Sequence, residues 1–359
     1  MTAMKFEPIF NKPTKRPILV AGPCSAETEE QVLATAHQLK ANQDVDLFRA
    51  GIWKPRTRPN SFEGVGTKGL KWLKRVKEET GLKVTTEVAN REHVFESLKY
   101  GVDVLWLGAR TTVNPFSVQE IADAIEGMDI PVMIKNPINP DLNLWIGAIE
   151  RIYKAGIRRI GVVHRGFSQH GKSQYRNEPR WNIAIELMRQ FPELTIICDN
   201  SHICGNRTLL APVAQKAMDL NYHGLMTETH LTPDEAWSDS KQQITPETFG
   251  TMVNNLVLRS VDSDDELFLE NLDGLRQQID LLDDDLLKLL GARMEVSRKI
   301  GEYKKENNIS ILQPSRWNEI LKVAQDRGSE KGLSSSFMEK YLQAVHHESI
   351  DQQNRIMNK

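Results

Sequence analysis

The sequence predicts an α/β chain: a (β/α)8 TIM barrel followed by an all-α domain of three helices. Three observations carry this. Eight short apolar runs alternate with amphipathic segments between Pro17 and about Ser260. The runs are rich in Val, Ile and Leu without clean alternation, as strands covered on both faces are. Past Ser260 the pattern changes to a helical period with no further strand-like runs. A doubly wound sheet also alternates strands and helices, but no Gly-x-Gly-x-x-Gly follows the first run.

In order, the predicted strands are 18–21, 46–49, 83–88, 104–107, 131–134, 160–163, 195–198 and 224–227. The predicted helices are 29–42, 69–80, 91–100, 118–127, 142–155, 181–189 and 209–218. Residues 1–261 then form the barrel domain, 262–270 an acidic linker and 271–359 the helical domain. In the last, Leu272, Leu275, Ile279, Leu282, Leu286, Leu289, Val296, Ile300 and Tyr303 form one stripe of a helix reaching about Glu306. A second helix starts at Pro314 and runs to about Asp326, 327–332 is a loop, and a third helix spans about 335–355.

Composition narrows the function classes. With 359 residues the chain fits two domains, and 40% apolar with 26% charged residues is ordinary for a soluble protein. A net charge of −2 gives no reason to expect nucleic acid. No apolar run approaches twenty residues, so no membrane span is expected, and polar residues 1–16 do not read as a signal peptide. Cys24, Cys198 and Cys204 cannot all pair, which fits a reducing cytoplasm and leaves metal binding or burial as their uses.

In a barrel, chemistry collects just after the strands. Those positions hold Cys24, Arg49 with Lys54 and Arg56, Glu87, Arg110, Lys135, His164 with Arg165, His202, and Glu228 with His230. After the second strand, Arg49, Lys54, Arg56 and Arg58 lie in a loop stiffened by Pro55 and Pro59, an anion site by composition. Cys24, His202 and Glu228 follow strands one, seven and eight, which are neighbours in a closed barrel, and Asp239 can fold back from the last loop. This mixed S/N/O set suits a divalent transition ion. Lys135, Arg165 and Arg110 share the face with Arg49 and Lys54, more positive charge than one phosphate requires. Two anionic substrates, or one with two anionic groups, would account for it. A metal-free rival has Lys135 forming a Schiff base.

The motifs Ala21-Gly-Pro-Cys-Ser25, Lys54-Pro-Arg-Thr57, Gly108-Ala-Arg110, His164-Arg-Gly166, Asn200-Ser-His202 and Ser238-Asp239 resemble those of type I beta 3-deoxy-D-arabino-heptulosonate 7-phosphate (DAHP) synthases over about residues 15–260. The resemblance implies condensation of phosphoenolpyruvate with erythrose 4-phosphate. Carbon 3 of phosphoenolpyruvate attacks a metal-activated aldehyde, water adds to carbon 2 and phosphate leaves. It implies Cys24, His202, Glu228 and Asp239 as ligands of a divalent ion, Mn2+ foremost, with Fe2+, Co2+ or Zn2+ as substitutes. It places Arg49, Lys54, Arg110, Lys135 and Arg165 on phosphoenolpyruvate, and Lys54, Pro55, Arg56 and Thr57 on erythrose 4-phosphate. Lys54, Glu87, Lys135 and His202 are the candidate catalytic residues. Asn200 stands where the subfamily more often has Pro, and only about sixteen residues precede the first strand, so feedback control is expected from elsewhere in the chain.

On the long helix Arg293 lies in the apolar stripe and Lys304 falls on the same face, about three turns on. Inward charges need anionic partners, in the protein or in a ligand. Arg276 lies roughly 25 Å before Arg293 along the axis. It can join the same ligand only from a second chain packed antiparallel. Leu275-Arg276, Ala292-Arg293, Gly301 with Lys304, Pro314-Ser-Arg316 and Gln352-Gln353 resemble the all-α chorismate mutases over about residues 266–357. The resemblance implies rearrangement of chorismate to prephenate in an interlocked homodimer or higher oligomer. Arg276 would come from the partner and Arg293, Lys304, Arg316 and Gln353 from one chain, with Arg293 and Lys304 catalytic. Gln313 and Trp317 stand where many members carry acids, so lower activity is expected. The alternative is a non-catalytic module that binds chorismate or prephenate and regulates the barrel.

Overall fold

Strands with apolar side chains on both faces need cover inside and out, and a closed barrel ringed by helices provides it. The computed structural model describes residues 4–10, 17–54, 62–169, 171, 173–260, 262–312 and 314–358, with backbone alone at 314–316 and 318. Its strands are β1 (Ile18–Gly22), β2 (Leu47–Arg49), β3 (Val84–Val88), β4 (Val104–Leu107), β5 (Val132–Lys135), β6 (Ile160–His164), β7 (Thr195–Asp199) and β8 (Gly224–Glu228). Each pairs in parallel with the next, and β8 closes on β1. Every predicted strand is present. Five of them run one residue further than expected, so Gly22, Lys135, His164, Asp199 and Glu228 are strand residues with fixed directions.

The outer helices are α1 (Glu29–Asn42), α2 (Lys68–Thr80), α3 (Arg91–Lys99), α4 (Ala109–Thr112), α5 (Pro115–Ile125), α6 (Leu142–Lys154), α7 (Trp181–Gln190), α8 (Asn200–Cys204), α9 (Leu210–Asp219) and α10 (Pro246–Asn254). Side-chain caps set several starts: Thr28, Asn90 and Asp141 accept from backbone N–H groups of the first turns of α1, α3 and α6. Helix α5 begins three residues before the expected 118. Asn114 caps it and Pro115 occupies the first turn, a start signal that the apolar period alone does not carry. Short helices α4 and α8, and α10 after β8, were not expected.

The barrel interior is filled by Val20, Leu47, Val104, Trp106, Met133, Val163, Ile197 and Met226, together with Ile9 and Phe10 of the segment preceding β1. A second, larger apolar layer lies between strands and helices. Interior and outer layers alternate along each strand, which decides what reaches the site.

The chain divides into two compact units, 1–261 and 262–359. The second contains α11 (Glu266–Glu306), α12 (Pro314–Glu330) and α13 (Ser335–Met357). Residues 266–270 of the expected linker are thus helical, because Asp265 caps the Phe268 N–H at 3.0 Å. The expected loop at 327–332 is shorter: α12 runs on through Gly328, whose missing side chain leaves room for Met338 of α13. It ends at Glu330, and the chain then turns at Gly332 (φ 75°), with the Leu333 N–H returning to the Gly328 carbonyl. Helices α11 and α13 run in register, Arg293 beside Ser349, Arg298 beside Gln352 and Lys305 beside Ile356. The stripe from Leu275 to Leu289 does not pack inward as expected. Leu275, Ile279, Leu282, Leu286 and Leu289 are all exposed on this chain. No helix among the described residues is long and apolar enough to cross a membrane.

Candidate active site and metal centre

Strand ends deliver the side chains. Cys24 Sγ, a Glu228 carboxylate oxygen and an Asp239 carboxylate oxygen all lie within 4.8 Å of one another. Cys24 Sγ is 3.5 Å from Asp239 Oδ2. His202 Nε2 lies 3.8 Å from Glu228 Oε1 but outside that mutual radius. The loop after β8 is tied down around Asp239. Gln243 accepts the Cys24 N–H at 3.0 Å and donates to the Ser238 carbonyl, and Ser25 and Ser238 share a hydrogen bond. Asp239 itself is held at φ 47°, a conformation rare for a residue with a side chain.

The electrostatics suit a cation. Burial, then the Glu228 charge, push the Cys24 thiol up to about 11, with Lys54 opposing. Burial opposes the Asp239 charge, but Arg176, His202 and Lys54 hold its carboxyl down at about 2. Burial likewise opposes the Glu228 charge, and His202 and Arg49 keep it below the usual carboxylate range. Asp199 at the end of β7 accepts from His202 Nδ1 at 2.8 Å, so the bare Nε2 lone pair faces the Glu228 carboxylate. Glu228 Oε1, 3.1 Å from Arg49 Nη2, receives no directional hydrogen bond. Two acceptors face each other beside a thiol that ionises only next to a cation. The four side chains therefore fit a divalent ion held by S, N and O donors.

Cations surround this cluster. Arg49 is fully buried; burial opposes its charge, yet Glu228 and Asp199 raise it above its ordinary value. Its Nη2 donates to the Cys24 carbonyl, while Nε and Nη1 lack partners. Lys54 Nζ lies 3.1 Å from Cys24 Sγ. The start of its loop is fixed by Trp53 stacked on His93, centroids 3.9 Å apart, and by the Lys54 N–H on the Glu63 carbonyl. Lys135 Nζ donates to Asp199 at 2.8 Å. Arg165 donates to Asn177 at 2.7 Å, and desolvation lowers it to about 10. Arg110, exposed at the start of α4, adds repulsion to Arg165 from the same face. Glu87 accepts from Trp106 Nε1 at 3.0 Å and fills the space beside Gly108. Pro55, Arg56 and Thr57 lie outside the described residues. His164 does not join the site: its ring sits in the outer layer, held by Tyr222 and the Pro179 carbonyl. His230 is bound to Glu27 at 3.3 Å and braces the last loop instead.

In the second unit, Ser297 and Gly301 of α11 are buried, with Gly301 close against Gln353 of α13. Arg293 donates to Ser349, one turn before Gln353. Lys304 donates to the Ile311 carbonyl, and desolvation lowers it. Gln353 Oε1 is buried without a partner. Arg276 pairs with Asp273 on an exposed face, far from Arg293 along the helix axis, and the side chain of Arg316 lies outside what the structure describes. Trp317 stacks on His346 at 4.1 Å.

A model of the DAHP synthetase I family matches residues 3–259. The chain belongs to that family. A chorismate mutase type II model matches residues 275–354, so this DAHP synthase is fused to a C-terminal chorismate mutase domain, joining a transferase to an isomerase type. The synthase family is generally metal-dependent. A phospho-2-dehydro-3-deoxyheptonate aldolase of Thermotoga maritima is 32% identical over 238 residues, 66% of this chain and 68% of that protein. A 2-dehydro-3-deoxyphosphooctonate aldolase of Wolinella succinogenes is 29% identical over 269 residues, 68% of this chain and 99% of that protein. The crystal structure of a DAHP synthase from Thermotoga maritima superposes with TM-score 0.60 at 30% identity, covering 66% of this chain and 67% of that one.

The DAHP synthase site contains residues that sequence reasoning did not single out. Asp199 joins Lys135 to His202, and Gln242 bridges Glu228 and Arg176. Arg176 pairs with Asp239 at 3.0 Å from the β6–α7 loop. The available signal was the Asp199-Asn-Ser-His202 spacing, which places a helix cap and a histidine three residues apart.

Proposed function

We propose that the barrel condenses phosphoenolpyruvate with erythrose 4-phosphate, using a divalent ion held by Cys24, His202, Glu228 and Asp239. The observation that carries this reading is the juxtaposition of that S/N/O cluster with Arg49, Lys54, Lys135 and Arg165 on one barrel face. Bound there, the ion, Mn2+ or a similar transition cation, supplies Lewis-acid polarisation of an aldehyde carbonyl. Arg49, Lys135 and Arg165, with Arg110 at the rim, neutralise the carboxylate and phosphate of phosphoenolpyruvate. Lys54 stands beside both that pocket and Cys24, and Arg56 with Thr57 take the second phosphate. Carbon 3 of phosphoenolpyruvate then attacks the aldehyde carbon, water adds at carbon 2 and phosphate leaves. Lys135 is tied into an ion pair with Asp199, a setting for a charged contact rather than a Schiff-base nucleophile. Phosphate release from the two substrates should stop in EDTA and return with Mn2+. Full activity in EDTA, with borohydride trapping on Lys135, would establish the metal-free route instead.

We propose for the helical domain a cage of Arg293, Lys304, Arg316 and Gln353, completed by Arg276 of a second chain, that rearranges chorismate to prephenate. The supporting observation is the buried, unpartnered Gln353 Oε1 one turn from the Arg293–Ser349 contact. Trp317, stacked on His346 where an acid would serve a substrate hydroxyl, favours a second role: binding prephenate to inhibit the barrel. Chorismate consumption by the full chain tests turnover. Inhibition of phosphate release by prephenate, abolished in Arg293→Ala, tests regulation. Equal inhibition of that variant would place the inhibitor elsewhere.

A further inference from the structure

Trp106 is completely buried at the inner end of the site, on β4 between β3 and β5. Three charged groups converge on its one indole. The Arg49 guanidinium carbon lies 5.1 Å from the ring centroid and Lys135 Nζ 5.6 Å from it. At the ring's edge, the indole Nε1–H donates to Glu87 Oε2 at 3.0 Å. These groups come from β2, β5 and β3, so no single strand could set their spacing.

We propose that Trp106 is a positioning residue of the condensation: its face sets the two cations that receive phosphoenolpyruvate, and its N–H aims Glu87. This rests on the reading that Arg49 and Lys135 hold that substrate. Each buried cation already has one carboxylate, Glu228 for Arg49 and Asp199 for Lys135. A further carboxylate beneath them would compete with an anionic substrate for the same protons. An aromatic face attracts a cation through its quadrupole and carries no net charge and no lone pair. It therefore restrains Arg49 and Lys135 without neutralising them. Arg49 Nε and Nη1 are left without protein partners, free to bind an anion. The N–H does the complementary work on the acid. Glu87 Oε2 is bound to the indole, and Oε1 occupies the space that Gly108, lacking a side chain, leaves open. A core-filling role alone would explain the burial of Trp106 among Val104, Met133 and Val163. It would not explain why the π-system and the donor of one ring are both taken by charged site residues.

The two functions of the ring separate in variants. Trp106→Phe keeps a face and removes the donor; it should leave the KM for phosphoenolpyruvate nearly unchanged while lowering kcat and shifting its pH profile. Trp106→Gln keeps a donor and removes the face; it should raise that KM roughly tenfold. Should the Gln variant not fold, fluorinated tryptophans at position 106 keep volume and donor while weakening the face, and KM should climb with each added fluorine. Equal changes in kcat and KM in both variants, or a KM indifferent to fluorination, would overturn the proposal. Lys135→Met controls for the underlying reading. If it raises the KM and fluorination does not, only the role of Trp106 fails. If neither moves it, the phosphoenolpyruvate pocket itself is misassigned.

Discussion

At the end of β6, neighbouring residues part company: Arg165 reaches the site, and His164 turns outward under α7. There the imidazole accepts from the Tyr222 hydroxyl at 2.8 Å and donates to the Pro179 carbonyl. Burial lowers it from 6.5 to about 4. A folded-state value below the unfolded one means that the unfolded chain binds the extra proton first. Stability is intact above about 6.5 and falls as pH drops towards 4, by roughly 2 kcal/mol at pH 5. His164→Gln should flatten the pH dependence of the unfolding midpoint between pH 7.5 and 5. An unchanged slope would remove His164 from this role. The sequence marked His164 because it follows a strand, but facing is set by the alternation along β6, whose register the sequence alone did not fix. Cys24, Glu228 and Asp239 were legible because a cysteine and two acids after adjoining strands have few other uses. Asp199, Arg176 and Gln242 were not, because their importance lies in partners distant in sequence, Lys135 for Asp199, Asp239 for Arg176 and Arg176 for Gln242, that only the closed barrel brings near.

At the scale of elements, the short strands were readable because double burial leaves an uninterrupted apolar signature. Helices α4, α8 and α10 escaped notice: the first two have 4 and 5 residues, too short for a period to show. Helix α11 raises the opposite issue. Its stripe has the pattern of a buried face, yet Leu275, Ile279, Leu282, Leu286 and Leu289 are exposed on the single chain. A second copy covering it would satisfy the pattern, each leucine contributing about 1.5–3 kcal/mol when fully buried. The same packing would bring Arg276 to the partner's Arg293 and Lys304. Leu282→Glu should therefore shift the sedimenting species towards monomer and remove chorismate turnover together. A variant that stays dimeric and active would show that this face is not the interface.

For the whole molecule, two units on one chain join two families of chemistry, and in the proposed reading each site uses its cations for dianionic or phosphorylated ligands. What distinguishes the barrel is the donor cluster beside those cations, which the helical unit lacks among its described residues. The central claim is that Cys24 binds a divalent ion as thiolate, despite burial that holds the free thiol at about 11. Titration of metal-stripped protein with Co2+, followed by near-ultraviolet absorption, tests it most directly. The account predicts a thiolate-to-metal charge-transfer band saturating at one ion per chain, with proton release, and no such band in Cys24→Ser. No band in the native chain, or an identical band in Cys24→Ser, would contradict it.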